Sequence, residues 1–352
     1  MKINSFAAQI IHWYHRHCRD LPWRHTQNPY FIWLSEVVLQ QTRVAQGLPY
    51  YLKFTEKYPT IFELARAPEQ DVIRLWQGLG YYSRARNLHQ TAQYIVEHLG
   101  GQFPDNYADL LKLKGIGPYT AAAIASFAYH EAVAVVDGNV YRVLARVFGI
   151  DTDIASTEGK KQFAQLANVL LDKAQPATYN QAIMEFGAIQ CSPASPDCLL
   201  CPLQRDCVAY TTGRVGALPV KSKKAKVRER FFHYFVFEYK QMLALRQRTD
   251  RDIWQQMYDF CLVETDEHIA NLDELTLEKP LRDILEASIV VGVSKTYTHL
   301  LTHQRIKAQF WHIRINDGFS TVLPPDLRFC TTQEIDLLPK PVLVSSYLKE
   351  YF

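Results

Sequence analysis

The sequence predicts a two-part chain: an all-helical first part of about 210 residues that ends in a four-cysteine loop, then a smaller part in which strands dominate. Three observations carry this. Up to about residue 190, apolar residues recur at three- and four-residue spacing in one segment after another. From Phe231 the pattern changes to short alternating and aromatic runs. Between these regions, four of the seven cysteines crowd into CSPASPDCLLCPLQRDC. A length of 352 residues also suits about two domains.

In chain order, MKINSFAAQIIHWYHRHCRD has an amphipathic helix pattern rather than that of a signal peptide. YFIWLSEVVLQQTRVA, TIFELARA, QDVIRLWQGL, RARNLHQTAQYIVEHL, NYADLLKL, EGKKQFAQLANVLLDK and YNQAIMEFGAIQ read as further helices, with boundaries at Pro49, Pro59, Pro68, Pro104 and Pro176. FFHYFVFEYK, MLALRQR, DFCLVE and KAQFWHIRI read as strands. The expected domains are therefore 1–212 and 229–352, joined by a basic linker over 213–228. The basic run of the joining stretch TTGRVGALPVKSKKAKVRER, Lys221, Lys223, Lys224, Lys226, Arg228 and Arg230, is either a solvated linker or a phosphate contact.

Composition is that of an ordinary globular protein, and a net charge of +3 is too small to require a nucleic-acid partner. No apolar run approaches the ~18 residues that span a bilayer. An intracellular, cytoplasmic protein is expected.

The chain is organised around residues 111–148. Gly115 and Gly117 form a GIG hairpin, expected to turn through positive φ, and Pro118 suits the first turn of the next helix. Such a hairpin is either a packing element or a holder of phosphate through free backbone N–H groups. Asp137 follows AVAVV and opens another helix, where it is a favourable N-cap. Glu36, within LSEVVLQQT, is expected on a polar face with Gln40 and Arg43. By itself each carboxylate has an ordinary structural explanation; their shared proximity to the hairpin gives them a chemical one.

Cys191, Cys198, Cys201 and Cys207 have the spacing C-x6-C-x2-C-x5-C, in a loop kept non-helical by Pro193, Pro196 and Pro202. Clustered thiols without a secretory signal read as metal ligands, for either structural zinc or a 4Fe-4S cluster. Cys18, Cys261 and Cys330 stand alone and read as small hydrophobes.

LPWR (21–24), WLSEVVLQQT (33–42), QGLGYYSRARNL (77–88), LKGIGPYTAAAIASFA (113–128), VDGNVYRVLAR (136–146) and the cysteine loop together resemble adenine DNA glycosylases of the MutY type. These belong to the helix-hairpin-helix glycosylase superfamily and remove adenine mispaired with 8-oxoguanine. The likeness covers about the first 210 residues in order, and the remainder more weakly.

The resemblance implies an all-α helix-hairpin-helix glycosylase domain with a 4Fe-4S loop on Cys191, Cys198, Cys201 and Cys207, then an α+β Nudix-like C-terminal domain. It implies duplex DNA containing adenine opposite 8-oxoguanine or guanine as partner, with the adenine flipped into a pocket. Glu36 is then the proton donor and Asp137 the stabilising carboxylate or a transient nucleophile, with Tyr119, Asn139 and Arg24 orienting them and the attacking group. Arg19, Trp23, Leu39, Gln181 and Met184 would line the adenine pocket. Gln41 and Tyr81 would wedge into the duplex, and Gly115 and Gly117 would hold phosphates, often with a bound monovalent cation. A monomer is the default for an enzyme that scans DNA.

Tyr119 stands where the pyrimidine-excising endonuclease III branch places a Schiff-base lysine, so a monofunctional enzyme with at most weak strand cleavage is expected. Tyr141 replaces the lysine of some bacterial relatives. In the second part, RQRTDRDIWQQMYDF resembles the family's Arg, Trp and aromatic pattern without its usual glycines, and Cys261 stands where proline is common. Leu301, Thr302 and His303 align with the family's Phe-Ser-His loop that reads 8-oxoguanine; the alternative for His299 and His303 is plain surface or strand histidine. No REXXEE glutamate helix is present, which argues against diphosphate hydrolysis. The competing functions are a bifunctional pyrimidine glycosylase-lyase, countered by Tyr119, and a silent DNA-binding scaffold, countered by Glu36 and Asp137.

Overall fold

A computed structural model describes residues 3–222, 227–316 and 324–352. The chain folds as two compact units, Met1–Arg66 with Asn87–Lys223, and Ala67–Arg86 with Lys224–Phe352. The second unit thus recruits a segment from within the stretch that the sequence assigns to the first domain. Of the basic run, Lys223, Lys224 and Lys226 lie outside the described residues. Arg230 is no linker residue: it is buried in a strand and paired with Asp252 at 2.8 Å and Glu264 at 2.6 Å.

The helices are α1 (Ile3–His17), α2 (Pro29–Leu39), α3 (Val44–Lys57), α4 (Ile61–Arg66), α5 (Glu69–Leu75), α6 (Ser83–Leu99), α7 (Tyr107–Leu110), α8 (Pro118–Tyr129), α9 (Gly138–Phe148), α10 (Thr157–Leu170), α11 (Pro176–Glu185) and α12 (Val208–Thr211). The run expected as one helix from Tyr30 is broken: α2 stops at Leu39, Gln41 takes φ +55°, and α3 restarts at Val44. Pro49, expected at a boundary, lies inside α3 and there forgoes one backbone hydrogen bond. Pro118 and Pro176 do open helices, where a missing N–H costs nothing.

In the first unit, Phe6, Ile10 and Trp13 of α1 pack with Val143 and Leu144 of α9, Phe163 of α10 and Ile183 of α11. Beside this core, α2 packs on α8, whose Ala121, Ala122, Ala123 and Ala125 leave room for close approach. As a result α2 is buried almost all round, Ser35 and Glu36 included, rather than on one face. Residues 133–137 run extended between α8 and α9, strapped down by the fully buried Asn180. Its Nδ2 donates to Ser126 Oγ (2.9 Å) and Val133 O (2.8 Å), and its Oδ1 accepts from Val135 N (3.0 Å).

The second unit is built on β1 (Arg228–Tyr239), β2 (Met242–Gln247), β3 (Tyr258–Asp259), β4 (Cys261–Thr265), β5 (Ser288–Val293), β6 (Tyr297–Leu300), β7 (Gln304–Ile315) and β8 (Arg328–Cys330), with α13 (Lys279–Glu286), α14 (Thr332–Leu337) and α15 (Val342–Tyr351). The main path of the sheet is β3-β2-β1-β7-β5. β1 runs parallel to β7, from Arg228 against Gln304 to Glu238 against Arg314, and antiparallel to β2 and β4. Its aromatics fill both faces, as a central strand requires. Phe235 and Phe237 pack with Ile284 and Trp311 on one side, while Tyr234 stacks on Phe310 and Phe310 on Tyr347 of α15 on the other. The four strand-like runs read from sequence become β1, β2, the broken pair β3 and β4, and β7; the exposed β5 and the short β6 and β8 carry too little alternation to be recognised beforehand.

Replacing Asn180 with Leu strands the buried Val135 N–H and removes the partner of the part-buried Val133 carbonyl. At about 1–3 kcal/mol for each unsatisfied group, urea titration followed by tryptophan fluorescence should register a loss of a few kcal/mol, whereas Asn168→Ala at the same strap, made by a side chain bonded to Ala134 N at 3.2 Å on the surface, should cost much less.

Candidate active site

A cavity of about 420 Å³ opens in the first unit between the end of α2, the hairpin before α8 and the start of α9. Glu36, Leu39, Gln41, Gly117, Tyr119 and Asp137 all line it. Glu36 is only 6% exposed, contrary to its expected place on a polar face shared with Arg43, which lies beyond the break after α2. Its Oε2 accepts a 2.5 Å hydrogen bond from the Tyr119 hydroxyl. Burial pushes the Glu36 carboxyl up to about 7, and the Asp137 charge adds to this, while the Tyr119 bond and the Arg24 charge pull the other way. Burial also holds the Tyr119 hydroxyl well above the ordinary tyrosine value, so it remains a proton donor.

Asp137 is the N-cap of α9. One carboxylate oxygen accepts from Asn139 N (2.9 Å) and Val140 N (2.8 Å), the other from Asn139 Nδ2 (2.7 Å). Burial raises its pKa, and these bonds together with the Arg142 charge oppose the rise. Asn139 is in turn fixed by Arg142, whose Nη2 donates to Asn139 Oδ1 (2.8 Å) and Gly187 O (2.6 Å) and whose Nε donates to Cys191 O (2.7 Å). Gly187 permits this approach, since a Cβ there would stand 2.6 Å from that of Asn139. A chain of hydrogen bonds therefore runs from the Asp137 carboxylate to the first residue of the cysteine loop.

Arg19 and Arg24 converge on one buried carboxylate that sequence reasoning missed. Glu185 accepts from Arg19 Nε (2.7 Å), Arg19 Nη2 (2.6 Å), Arg24 Nη2 (2.7 Å) and Arg24 Nη1 (3.2 Å), and also from Arg19 N (2.9 Å). Burial alone would raise this carboxyl, but the arginine bonds outweigh it and hold it down at about 2. The Arg24 guanidinium lies over the ring of Tyr14, whose hydroxyl donates to Gln181 Oε1 at 2.8 Å. Trp23 is buried edge-on to Tyr51, and Met184 packs on the core of this unit. The signal for Glu185 was its setting, a lone acid inside the apolar run IMEFGAI.

The four loop cysteines line one small cavity with Arg146, Phe186 and Leu203. Burial raises the thiols of Cys198, Cys201 and Cys207, that of Cys201 to about 12, and their mutual charges add to it. Arg146 binds the loop through Ser192 O (2.8 Å), Pro193 O (3.1 Å) and Cys191 Sγ (3.4 Å). Among the described residues no three His, Cys, Asp or Glu side chains are gathered as ligands of one metal ion. The cavity lining also includes the Asp197 carboxylate.

Comparison with known proteins agrees with this geometry. Residues 34–170 match the HhH-GPD superfamily base excision DNA repair protein family, and residues 233–350 match the NUDIX domain. The adenine DNA glycosylase of Buchnera aphidicola subsp. Schizaphis graminum is 34% identical over 280 residues, which cover 79% of this chain and 80% of that protein. The chain belongs to the adenine DNA glycosylase family. The Homo sapiens adenine DNA glycosylase is 45% identical over 217 residues, 59% of this chain and 40% of that protein. Among solved structures, a thermostable thymine-DNA glycosylase superposes with a TM-score of 0.56 at 30% identity, over 60% of this chain and 97% of its own.

The site residues expected of an adenine DNA glycosylase fall into groups. Glu36, Tyr119, Asp137 and, through Asp137, Asn139 meet at one cavity, and Arg24 lies close enough for its charge to reach Glu36. Of the five expected base-pocket residues, Leu39 lines that cavity, whereas Arg19, Trp23, Gln181 and Met184 do not. At the hairpin, Gly115 takes φ +74° as expected and a Cβ on it would press on Asn87 at 2.9 Å. Gly117 instead is extended (φ −88°) and serves as the N-cap of α8. In the second unit, Tyr81, Leu301, Thr302 and His303 line a cavity of about 540 Å³ with Trp254 and His299, and the Tyr81 hydroxyl is hydrogen-bonded to that of Thr302. Gln41 and Tyr81 both adopt positive φ, +55° and +50°.

Glu36 carries a pH signature. Its folded pKa of about 7 exceeds its ordinary 4.5, so stability present below pH 4.5 is lost as pH rises through 7. At 1.36 kcal/mol per pKa unit the cost of ionising it is about 3 kcal/mol. Glu36→Gln should therefore melt higher than the parent at alkaline pH and about level with it under acid conditions; equal melting at both would mean that Glu36 ionises freely.

Proposed function

We propose that this chain hydrolyses the N-glycosidic bond of adenine mispaired with 8-oxoguanine or guanine in duplex DNA, leaving an abasic site. The observation that carries this reading is the pair of acids on one cavity, Glu36 still protonated near neutral pH and Asp137 oriented as a helix cap. Adenine leaves poorly as an anion, and glycosidic cleavage needs an acid for the leaving group and an anion for the sugar cation.

Glu36 delivers its proton to N7 of a flipped adenine. The C1′–N9 bond then breaks, and its electron pair departs with the base. The Asp137 carboxylate, held by Asn139 and Val140, faces the oxocarbenium-like sugar. Water adds at C1′ and returns a proton to the Glu36 carboxylate. Tyr119 holds the carboxyl group of Glu36 by its hydroxyl, and a phenol offers no amine for a Schiff base, which favours a monofunctional enzyme. Arg19, Trp23, Leu39, Gln181 and Met184 are the residues we assign to the closed base pocket, Gln41 and Tyr81 to wedging into the stack. Gly115 and Gly117 are assigned to phosphate, with a monovalent cation, through the N–H groups that open α8. Leu301, Thr302 and His303 are assigned to the base opposite adenine; the Thr302 hydroxyl can exchange hydrogen bonds with a purine edge. The functional domains on this reading are 1–212 and 229–352, with 213–228 between them, in an intracellular monomer.

For Cys191, Cys198, Cys201 and Cys207, which line one cavity, we favour a 4Fe-4S cluster over zinc on the resemblance of this loop to that of the adenine DNA glycosylases. Such a cluster cross-links the loop and keeps its thiols ionised. Arg142 and Arg146 tie that loop to α9.

Single-turnover cleavage should be measured on duplexes with adenine opposite 8-oxoguanine, adenine opposite guanine, and thymine glycol opposite adenine, each with and without alkali. Alkali-dependent nicking at adenine, fastest opposite 8-oxoguanine and abolished in Glu36→Gln without loss of mispair binding, is the expected result. Alkali-independent nicking at thymine glycol would move the protein to the pyrimidine branch. The purified protein should be brown and contain about four irons per chain; stoichiometric zinc in their place would overturn the cluster assignment.

A further inference from the structure

Glu185 takes no part in the chemistry just described, yet it is almost completely buried and receives five hydrogen bonds from two arginines. A carboxylate removed from water at this depth is costly unless it is paired, and it is paired with the part-buried Arg24 and the more exposed Arg19. We propose that Glu185 is a positioning residue of adenine excision: it clamps Arg19 and Arg24 to itself and so withholds Arg24 from Glu36, which thereby keeps the proton it must deliver. This rests on the adenine-excision reading above.

The geometry supports the clamp from both sides. On the Glu185 side, Arg24 is held by both of its Nη atoms, its Nη1 also donates to Arg19 O at 2.8 Å, and its plane lies on Tyr14. Bidentate capture of this kind fixes a planar guanidinium in orientation as well as position. On the Glu36 side, the charged and titratable groups are Tyr119 from α8, Asp137 at the start of α9, and Arg24 itself from the turn at Pro22–Arg24. Around Glu185 they are Arg19, Arg24 and Tyr14, with Cys18 near Tyr14. Arg24 thus stands between a carboxylate that binds it and a carboxyl that must not. Freed from Glu185, Arg24 is left with Glu36 as the carboxyl that its charge already reaches. An ion pair with Glu36 would dismantle the acid and anion pair, since a cation within ion-pairing distance stabilises ionised carboxylate.

The test is the pH dependence of single-turnover adenine excision in the full-length protein, with binding to the mispaired duplex and thermal melting measured in parallel. For the parent, excision falls as pH rises through the Glu36 titration. In Glu185→Gln the alkaline limb should move down by roughly one to three pH units, with a neutral-pH rate about 100-fold lower and mispair binding retained. Glu185→Asp keeps the charge but is too short to grip both arginines, and should give a smaller downward shift. Adding Arg24→Gln to Glu185→Gln removes the freed cation, and the limb should return toward the parent position although the rate stays low. A limb that does not move in either Glu185 variant, or that moves upward, overturns the clamp. If Glu185→Gln loses its cooperative melt, Glu185→Asp and the double variant decide by the same criteria. Absence of adenine excision by the parent protein would sink the proposed function, whereas parent excision with unmoved limbs would sink the clamp alone.

Discussion

The constraint on which the first unit turns is the burial of a carboxyl group at Glu36. α2 and α8 approach closely because α8 offers alanines along the contact, and that approach removes Glu36 from water while leaving it open to a cavity. The same carboxyl on an exposed helix face would be ionised at neutral pH and useless as an acid. Burial therefore achieves what a neighbouring anion would otherwise have to achieve alone. Its partner Asp137 is raised by burial as well, but N–H donors from the start of α9 oppose the rise, so the two acids share a cavity and differ in how far their surroundings favour the charged form.

Several arginines manage the charge this arrangement creates, and each is spoken for. Arg142 connects Asn139 to the carbonyls of Gly187 and Cys191, Arg146 binds the loop at Ser192 and Pro193, and Arg19 and Arg24 are gathered on Glu185. In the second unit Arg230 and Arg248 are similarly enclosed by Asp252, Glu264 and Asp259. Buried guanidiniums suit this purpose because their planar donors can satisfy carboxylates and several carbonyls together.

Legibility in the sequence followed locality. Asp137 as a helix cap, Pro118 and Pro176 as helix openers, and the aromatic strands β1 and β7 depend on neighbours a few residues away, and all were readable. Glu36 was not, because its burial depends on alanines some 85 positions later in α8. Glu185 and Arg24 are separated by 161 positions, and no spacing rule relates them. The break after Leu39 was hidden for a different reason: QQT is a tolerable helix sequence, and only the placement of Gln41 at positive φ stops the helix. At the hairpin, glycine composition overstated the strain, since Gly117 takes an extended conformation open to any residue.

The discontinuity of the second unit has a bearing on the order in which the molecule can be completed. Gln70, Gln77, Tyr81 and Arg86 are bonded to Tyr258, Ser345, Thr302 and Gln255, all of which leave the ribosome more than 160 residues later. Domains form as units during synthesis, yet one segment of this unit is translated long before its own strands arrive. The segment Ala67–Arg86 is thus a bookmark, translated early and read last.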